Sequence, residues 1–128
     1  MILVDTSVWI DFFLGRTEQV EKLEFLIRES NQACICSIIL QEVLQGVKDK
    51  KDYDKVKERL TKFPFVETDK STHILAAEIY RDLRAKGITI PTLDATIAAT
   101  AIQNKTPLFT TDQHFYLVSQ HRKLTLYD

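Results

Sequence analysis

The 128 residues are enough for one domain, 1–128, that buries a sizeable core without a disulfide or metal staple. With 45% hydrophobic and 27% charged residues, three glycines and three prolines, the composition excludes collagen-like and disordered classes. Seventeen basic residues against eighteen acidic ones leave a net charge of −1, which argues against holding nucleic acid by bulk positive charge. It leaves room for a protein that meets phosphate through a bound metal ion.

Ile2-Leu3-Val4 is the first predicted strand. Asp5 interrupts that apolar run at once and no basic stretch precedes it, so it does not read as a signal peptide. No apolar run approaches the length of a membrane span. Helices are predicted over 8–14 and 18–29, the second because Val20, Leu23, Leu26 and Ile27 recur at three- and four-residue steps. Residues 33–36 form a second strand, after which Ser37 stands where a helix N-cap is expected. Cys34 and Cys36, two apart on that strand, are poorly placed to bridge each other. They read as reduced core residues of a cytoplasmic protein, since a zinc site would need two further ligands at a recognisable spacing. Helices follow over 38–48 and 52–62, then a third strand over 63–66 whose Pro64 suits an edge or a strand start. A long helix over 72–86 closes at Gly87, and another spans 92–104. Residues 108–110 are a fourth strand, and 124–126 offer a fifth. Strands separated by helices imply the α/β class: a central parallel sheet of four to five strands covered by helices on both faces. Sites in such sheets form at the carboxyl ends of the strands.

Four acids fall there. Asp5 follows the first strand, Glu42 lies one turn into the helix after the second, Asp94 starts the helix at 92, and Asp112 follows the fourth strand. Asp5 and Asp112 also read as ordinary helix caps. Leu40, Val43, Leu44 and Val47 share one face of their helix, and Glu42 lies well off its centre, as a solvated glutamate would. Asp94 differs: it falls near the middle of the apolar arc of Leu93, Ile97, Ala98, Ala101 and Ile102. The helix dipole favours an acid in a first turn, but a carboxylate facing a core also needs a partner or a metal. Carboxylates about 5 Å apart repel by roughly 3 kcal/mol per pair at an effective dielectric of 20. A hard divalent cation offsets this at neutral pH, and oxygen ligands suit Mg²⁺ or Mn²⁺. Such ions activate water and neutralise charge on a leaving oxygen, which is metal-dependent phosphoryl chemistry.

Four segments also resemble one family. Ile2-Leu3-Val4-Asp5-Thr6-Ser7-Val8-Trp9-Ile10 is similar to the opening of PIN-domain ribonucleases, close to the VapC toxins of bacterial toxin–antitoxin pairs. Ser37-Ile38-Ile39-Leu40-Gln41-Glu42-Val43-Leu44-Gln45-Gly46 resembles their second motif. Ile90-Pro91-Thr92-Leu93-Asp94-Ala95-Thr96-Ile97-Ala98-Ala99 and Leu108-Phe109-Thr110-Thr111-Asp112-Gln113-His114-Phe115 resemble the third and fourth. Any one motif is weak, but four in order from residue 2 to residue 115 are specific. The resemblance implies that Asp5, Glu42, Asp94 and Asp112 form a catalytic, metal-binding acidic quartet for Mg²⁺ or Mn²⁺. It implies that Thr6 and Thr110 support the first and last acids. The implied activity is endonucleolytic RNA cleavage leaving a 5′-phosphate and a 3′-hydroxyl. The implied partners are RNA, a small cognate antitoxin whose tail fills the groove, and a second copy of the chain.

Seven basic and four acidic residues over 48–62 give a local +3, and Arg81, Arg84 and Lys86 form a second cluster. Either is a solvated face or a phosphate track whose affinity falls steeply with salt. Trp9, Phe12 and Phe13 suit base stacking, but their helical spacing suits core or dimer contacts better. His73, His114 and His121 are scattered, with no context suggesting general-base work. Three rivals remain at this stage. A phospho-accepting receiver domain wants paired acids after the first strand and an accepting Asp after the third, where Asp69 stands in a weak context. A dehalogenase-like phosphatase wants Asp-x-Asp, but Ser7 takes the second place. The last rival is a catalytically inactive acidic module that binds a partner's basic tail.

Overall fold

Four short parallel strands hydrogen-bond in the order β3-β2-β1-β4: β1 (Ile2–Val4), β2 (Ala33–Cys36), β3 (Phe65–Val66) and β4 (Leu108–Phe109). The computed structural model describes residues 1–15 and 18–128, with the backbone alone for Leu14, Glu18 and Gln19. The two central strands are buried at every position, as expected where helices cover both faces of a parallel sheet. The register pairs Ile2 with Ala33, Leu3 with Leu108 and Ile35 with Phe65. The third strand is shorter than expected because Pro64 has no N–H to give the ladder; its carbonyl accepts from the Ile35 amide at 2.9 Å. The segment 124–126 adds only a single bridge, Leu126 to Leu108, rather than a fifth strand.

The first crossover carries α1 (Thr6–Leu14) and α2 (Glu18–Phe25), followed by a π-helical turn, Leu26–Ser30. The single helix expected over 18–29 is therefore an α-helix that widens in its last turn. Asn31 at φ 52° ends it, a residue type that tolerates this left-handed region, and turns the chain into β2. Next come α3 (Ser37–Gly46) and α4 (Lys50–Leu60). Cys36, not Ser37, occupies the N-cap position of α3, because Ser37 is already helical. The inward side of α3 is centred on Ile39 and Val43, while Leu40, Leu44 and Val47 are only half-buried. The long helix α5 (Lys70–Ala85) starts at a capping box in which Asp69 and Thr72 satisfy each other's amides. It packs along α6 (Thr92–Gln103), and α7 (Gln113–His121) follows β4.

Helix α6 is enclosed on all sides from Ala95 to Ala101, where alanines and threonines make it slim enough for neighbours to surround it. Leu93, expected inside, is 40% exposed, since it precedes that enclosed stretch. Trp9 is fully buried, stacked on Phe13 and tilted against Phe63, so it belongs to the core and not to a base-stacking surface. Both cysteines are free and buried.

The chain steps from β1 to β2 to β3 in one direction. The α5–α6 crossover then returns it to the other side of β1, where β4 pairs. The strand order therefore reverses between β1 and β4, and a crevice opens beyond their carboxyl ends. Asp5 and Thr110 are the residues that leave those two strands.

Candidate active site

Asp5 occupies the N-cap position of α1, but its side chain makes no capping hydrogen bond. The carboxylate turns into the crevice, where Oδ2 accepts from Thr110 Oγ1 at 2.8 Å and from Ser7 Oγ at 3.2 Å. The residue is 4% exposed. Burial pushes its pKa up to about 6; the Thr110, Thr6 and Ser7 hydrogen bonds oppose the rise, and the charge of Asp94 adds to it. Thr110 Oγ1 also accepts from the Asp112 amide at 3.0 Å, so one hydroxyl ties the first acid to the loop that carries the last.

Asp112 does cap a helix, accepting from the His114 amide at 2.9 Å, yet its carboxylate also faces the crevice. Asp94 lies in the first turn of α6, its side chain 14% exposed. Burial holds its pKa above the ordinary range, and the charge of Asp112 adds to this; His114 lowers it, and Glu42 raises it further. Glu42 is half-buried and accepts from Thr6 Oγ1 at 2.8 Å. The structure thus brings Asp5, Glu42, Asp94 and Asp112 to one end of the sheet, each in contact with a second crevice residue or within its electrostatic reach.

Two expectations change. Glu42 is not a solvated side chain. With the inward side of α3 set by Ile39 and Val43, a residue three positions after Ile39 stands at its margin, where it reaches Thr6 at the start of α1. Thr6 and Thr110 are expected to support the first and last acids; the Thr6 hydroxyl donates instead to Glu42, while the Thr110 hydroxyl donates to Asp5 and accepts from the Asp112 amide. Sequence reasoning also passed over His114. Its Nδ1 lies 2.9 Å from Asp94 Oδ2 and 3.0 Å from Asp112 Oδ1. The available signal was its place two residues after Asp112, within the first turn of the helix that Asp112 caps.

The donor set fits a divalent cation. Ligand atoms of Asp94, Asp112 and His114 all lie within 4.8 Å of one another, and the charges of Asp5 and Glu42 couple to Asp94 without belonging to that group. Among the described residues, no lysine or arginine forms an ion pair with any of the four acids; the close partner of Asp94 and Asp112 is the His114 imidazole. Clustered carboxylates that no basic side chain balances are what a bound cation would relieve. The acid wanted by the receiver reading is otherwise engaged: Asp69 caps α5, accepting from the Thr72 amide and the Ser71 hydroxyl.

The basic residues of α4 are largely engaged locally. Lys50 pairs with Asp54 at 2.9 Å, and Arg59 lies 5.2 Å from the ring centres of both Phe12 and Phe13. Beside them, Ile10, Phe13, Val43, Val47, Val56 and Arg59 line a cavity of about 480 Å³. No helix among the described residues is long and apolar enough to cross a membrane.

Comparison with known proteins agrees with this geometry. The PIN domain family matches residues 2–120. The chain is 33% identical over 127 residues to the ribonuclease VapC1 of Methanocaldococcus jannaschii, covering 99% of this chain and 87% of that protein. It is 30% identical over 124 residues to the ribonuclease VapC11 of Mycobacterium tuberculosis, covering 94% and 92%. The fold superposes on VapBC2 of Rickettsia felis, solved with a DNA fragment from its promoter, with a TM-score of 0.81 and 22% identity over 99% and 98% of the two chains. The chain belongs to the PIN-domain family, in its VapC branch.

Proposed function

We propose that the protein is a metal-dependent endoribonuclease and the toxin of a type II toxin–antitoxin pair, working in the cytoplasm. The observation that carries the reading is the convergence of Asp5, Glu42, Asp94 and Asp112 in the crevice between β1 and β4, with no lysine or arginine among the described residues to balance them. Asp94, Asp112, Asp5 and Glu42 would hold Mg²⁺ or Mn²⁺. Such an ion supplies activation of a water nucleophile and charge neutralisation at the scissile phosphodiester, leaving a 5′-phosphate and a 3′-hydroxyl.

The chain's own residues do the positioning. Thr110 fixes the Asp5 carboxylate against the Asp112 loop. Thr6, the residue after Asp5, fixes the Glu42 carboxylate of α3. The α6 N-terminus directs its partial positive charge toward Asp94 and toward any phosphate that approaches it. The acidic crevice repels RNA until it is loaded, so substrate binding requires the ion. Partnership with a small antitoxin and with a second copy of this chain follows from the family relationship. The structures of relatives include VapBC complexes from Rickettsia felis and Salmonella typhimurium.

The test is cleavage of RNA by purified protein with Mg²⁺ or Mn²⁺, with the end groups of the products identified. Asp94→Asn keeps size and removes charge, and cleavage should collapse while the fold survives. Full cleavage by that variant, or in excess chelator, overturns the reading. RNA that is never cut while Mn²⁺ still binds would favour an inactive acidic module.

A further inference from the structure

We propose that His114 is itself a metal ligand through Nδ1, and that this nitrogen makes the site select Mn²⁺ over Mg²⁺. The inference deepens the nuclease reading and rests on it: the acids supply the charge, and His114 supplies the selectivity. Three observations support it.

The first is placement. Asp94 comes from α6, whereas Asp112 and His114 flank the start of α7, so tertiary packing brings the histidine to the acid twenty residues away. The Asp112 cap holds the His114 backbone, aiming the imidazole back over the capping carboxylate toward Asp94. The second is spacing. His114 Nδ1 stands 2.9 Å from one carboxylate oxygen and 3.0 Å from the other. Adjacent ligands on an octahedral ion with bonds of about 2.1 Å are about 3.0 Å apart. An ion can therefore sit between Nδ1 and the two carboxylate oxygens with little movement of the three groups. The third is access. The imidazole is 40% exposed and Asp112 35%, so the group opens to solvent on one side. The remaining positions can take water or phosphate oxygen.

The chemistry of the donors then decides the ion. Mg²⁺ is hard, favours oxygen and gives up water reluctantly. An imidazole nitrogen is a borderline donor that suits first-row transition ions. Replacing one oxygen of an all-carboxylate set by this nitrogen weakens the site for Mg²⁺ more than for Mn²⁺. Removing one negative charge acts in the same direction, because Mg²⁺ depends more completely on charge.

The experiment titrates the metal-free full chain with Mn²⁺ and with Mg²⁺ by calorimetry, and records pulsed electron paramagnetic resonance of the Mn²⁺-loaded protein. Wild type, His114→Gln, His114→Asp and Asp94→Asn are compared, with circular dichroism confirming that each is folded. Wild type should bind Mn²⁺ at least about tenfold more tightly than Mg²⁺ and show coupling to a ligating ¹⁴N. His114→Gln should lose that coupling and about tenfold in Mn²⁺ affinity, in the range that follows loss of a supporting group at a metal site. His114→Asp should bind Mg²⁺ more tightly than wild type does, narrowing the preference. If Mn²⁺ binds without nitrogen coupling, or His114→Gln leaves the Mn²⁺ to Mg²⁺ ratio unchanged, the histidine proposal fails while the nuclease reading stands. If neither wild type nor Asp94→Asn binds either ion, both fail.

Discussion

Replacing Asp5 by Asn should make the metal-free protein more stable at neutral pH, although it removes a charge from the candidate site. In the folded chain the Asp5 carboxyl is almost wholly buried and its pKa stands at about 6 instead of the ordinary 3.8. The native state therefore holds this proton more tightly than the unfolded chain does. The associated stability is fully present below about pH 3.8 and is lost as pH rises through about 6. The interval between those two values corresponds to about 3 kcal/mol withheld from the folded protein at pH 7.5. Asn has the same size, and with its carbonyl oxygen in the place of Oδ2 it still accepts from both Thr110 and Ser7. For a domain of this length, about 3 kcal/mol is a rise in Tm on the order of 10 °C. The assay is thermal and urea unfolding of both proteins in chelator from pH 4 to pH 8. Asp5→Asn should exceed wild type at pH 7.5, with the gap closing by pH 4. Saturating Mn²⁺ should shrink the gap or reverse it, because binding at a hundred times Kd stabilises wild type by about 2.7 kcal/mol. An Asp5→Asn protein no more stable than wild type at pH 7.5 without metal would refute the claim that burial strains this carboxylate.

Three further outcomes are expected. Thr110→Val removes the hydroxyl shared by Asp5 and the Asp112 amide; metal affinity, read by calorimetry, should fall about tenfold or more, and cleavage with it. Glu42→Gln keeps the Thr6 bond and should leave the unfolding free energy within about 1 kcal/mol of wild type while lowering Mn²⁺ affinity and RNA cleavage at least tenfold; unchanged activity would return Glu42 to the solvated surface. Asp69→Ala deletes the capping box of α5 and should lower Tm without altering RNA cleavage or metal titration, whereas a receiver domain would lose phosphate uptake from a small donor.

The strand ends were the most legible part of the site. Asp5 follows its apolar run at once and Asp112 follows Leu108-Phe109 by three residues, so both fall at strand ends where α/β sites form, with a helix cap as the other reading. Asp94 was legible for a different reason, since a carboxylate among Ile97, Ala98 and Ala101 conflicts with burial unless something binds it. Glu42 was not, because the helical wheel was centred on the largest side chains. Leu40 and Leu44 are large but pack only partly, while Ile39 and Val43 meet the sheet, and that choice turns the helix by about a quarter turn. His114 was marked locally only by its place two residues after Asp112; its other partner, Asp94, is twenty residues away and joins it through the packing of α7 on α6. The π-helical turn was invisible for a related reason: the periodicity of Leu23 and Leu26 continues through it, and only the left-handed Asn31 marks where the ladder changes.

The hydroxyl that joins the two edges of the crevice bridges residues 105 apart, and the one that fixes Glu42 spans 36. No contiguous fragment shorter than residues 5–114 contains every group named above. A polypeptide still emerging from the ribosome therefore lacks the assembled crevice until almost all of it has been synthesised, and on the proposed function prematurely terminated products would leave the RNA around them uncut. For a proposed toxin made on the same kind of molecule it would destroy, the late arrival of its fourth strand is a safeguard written into the winding of the sheet.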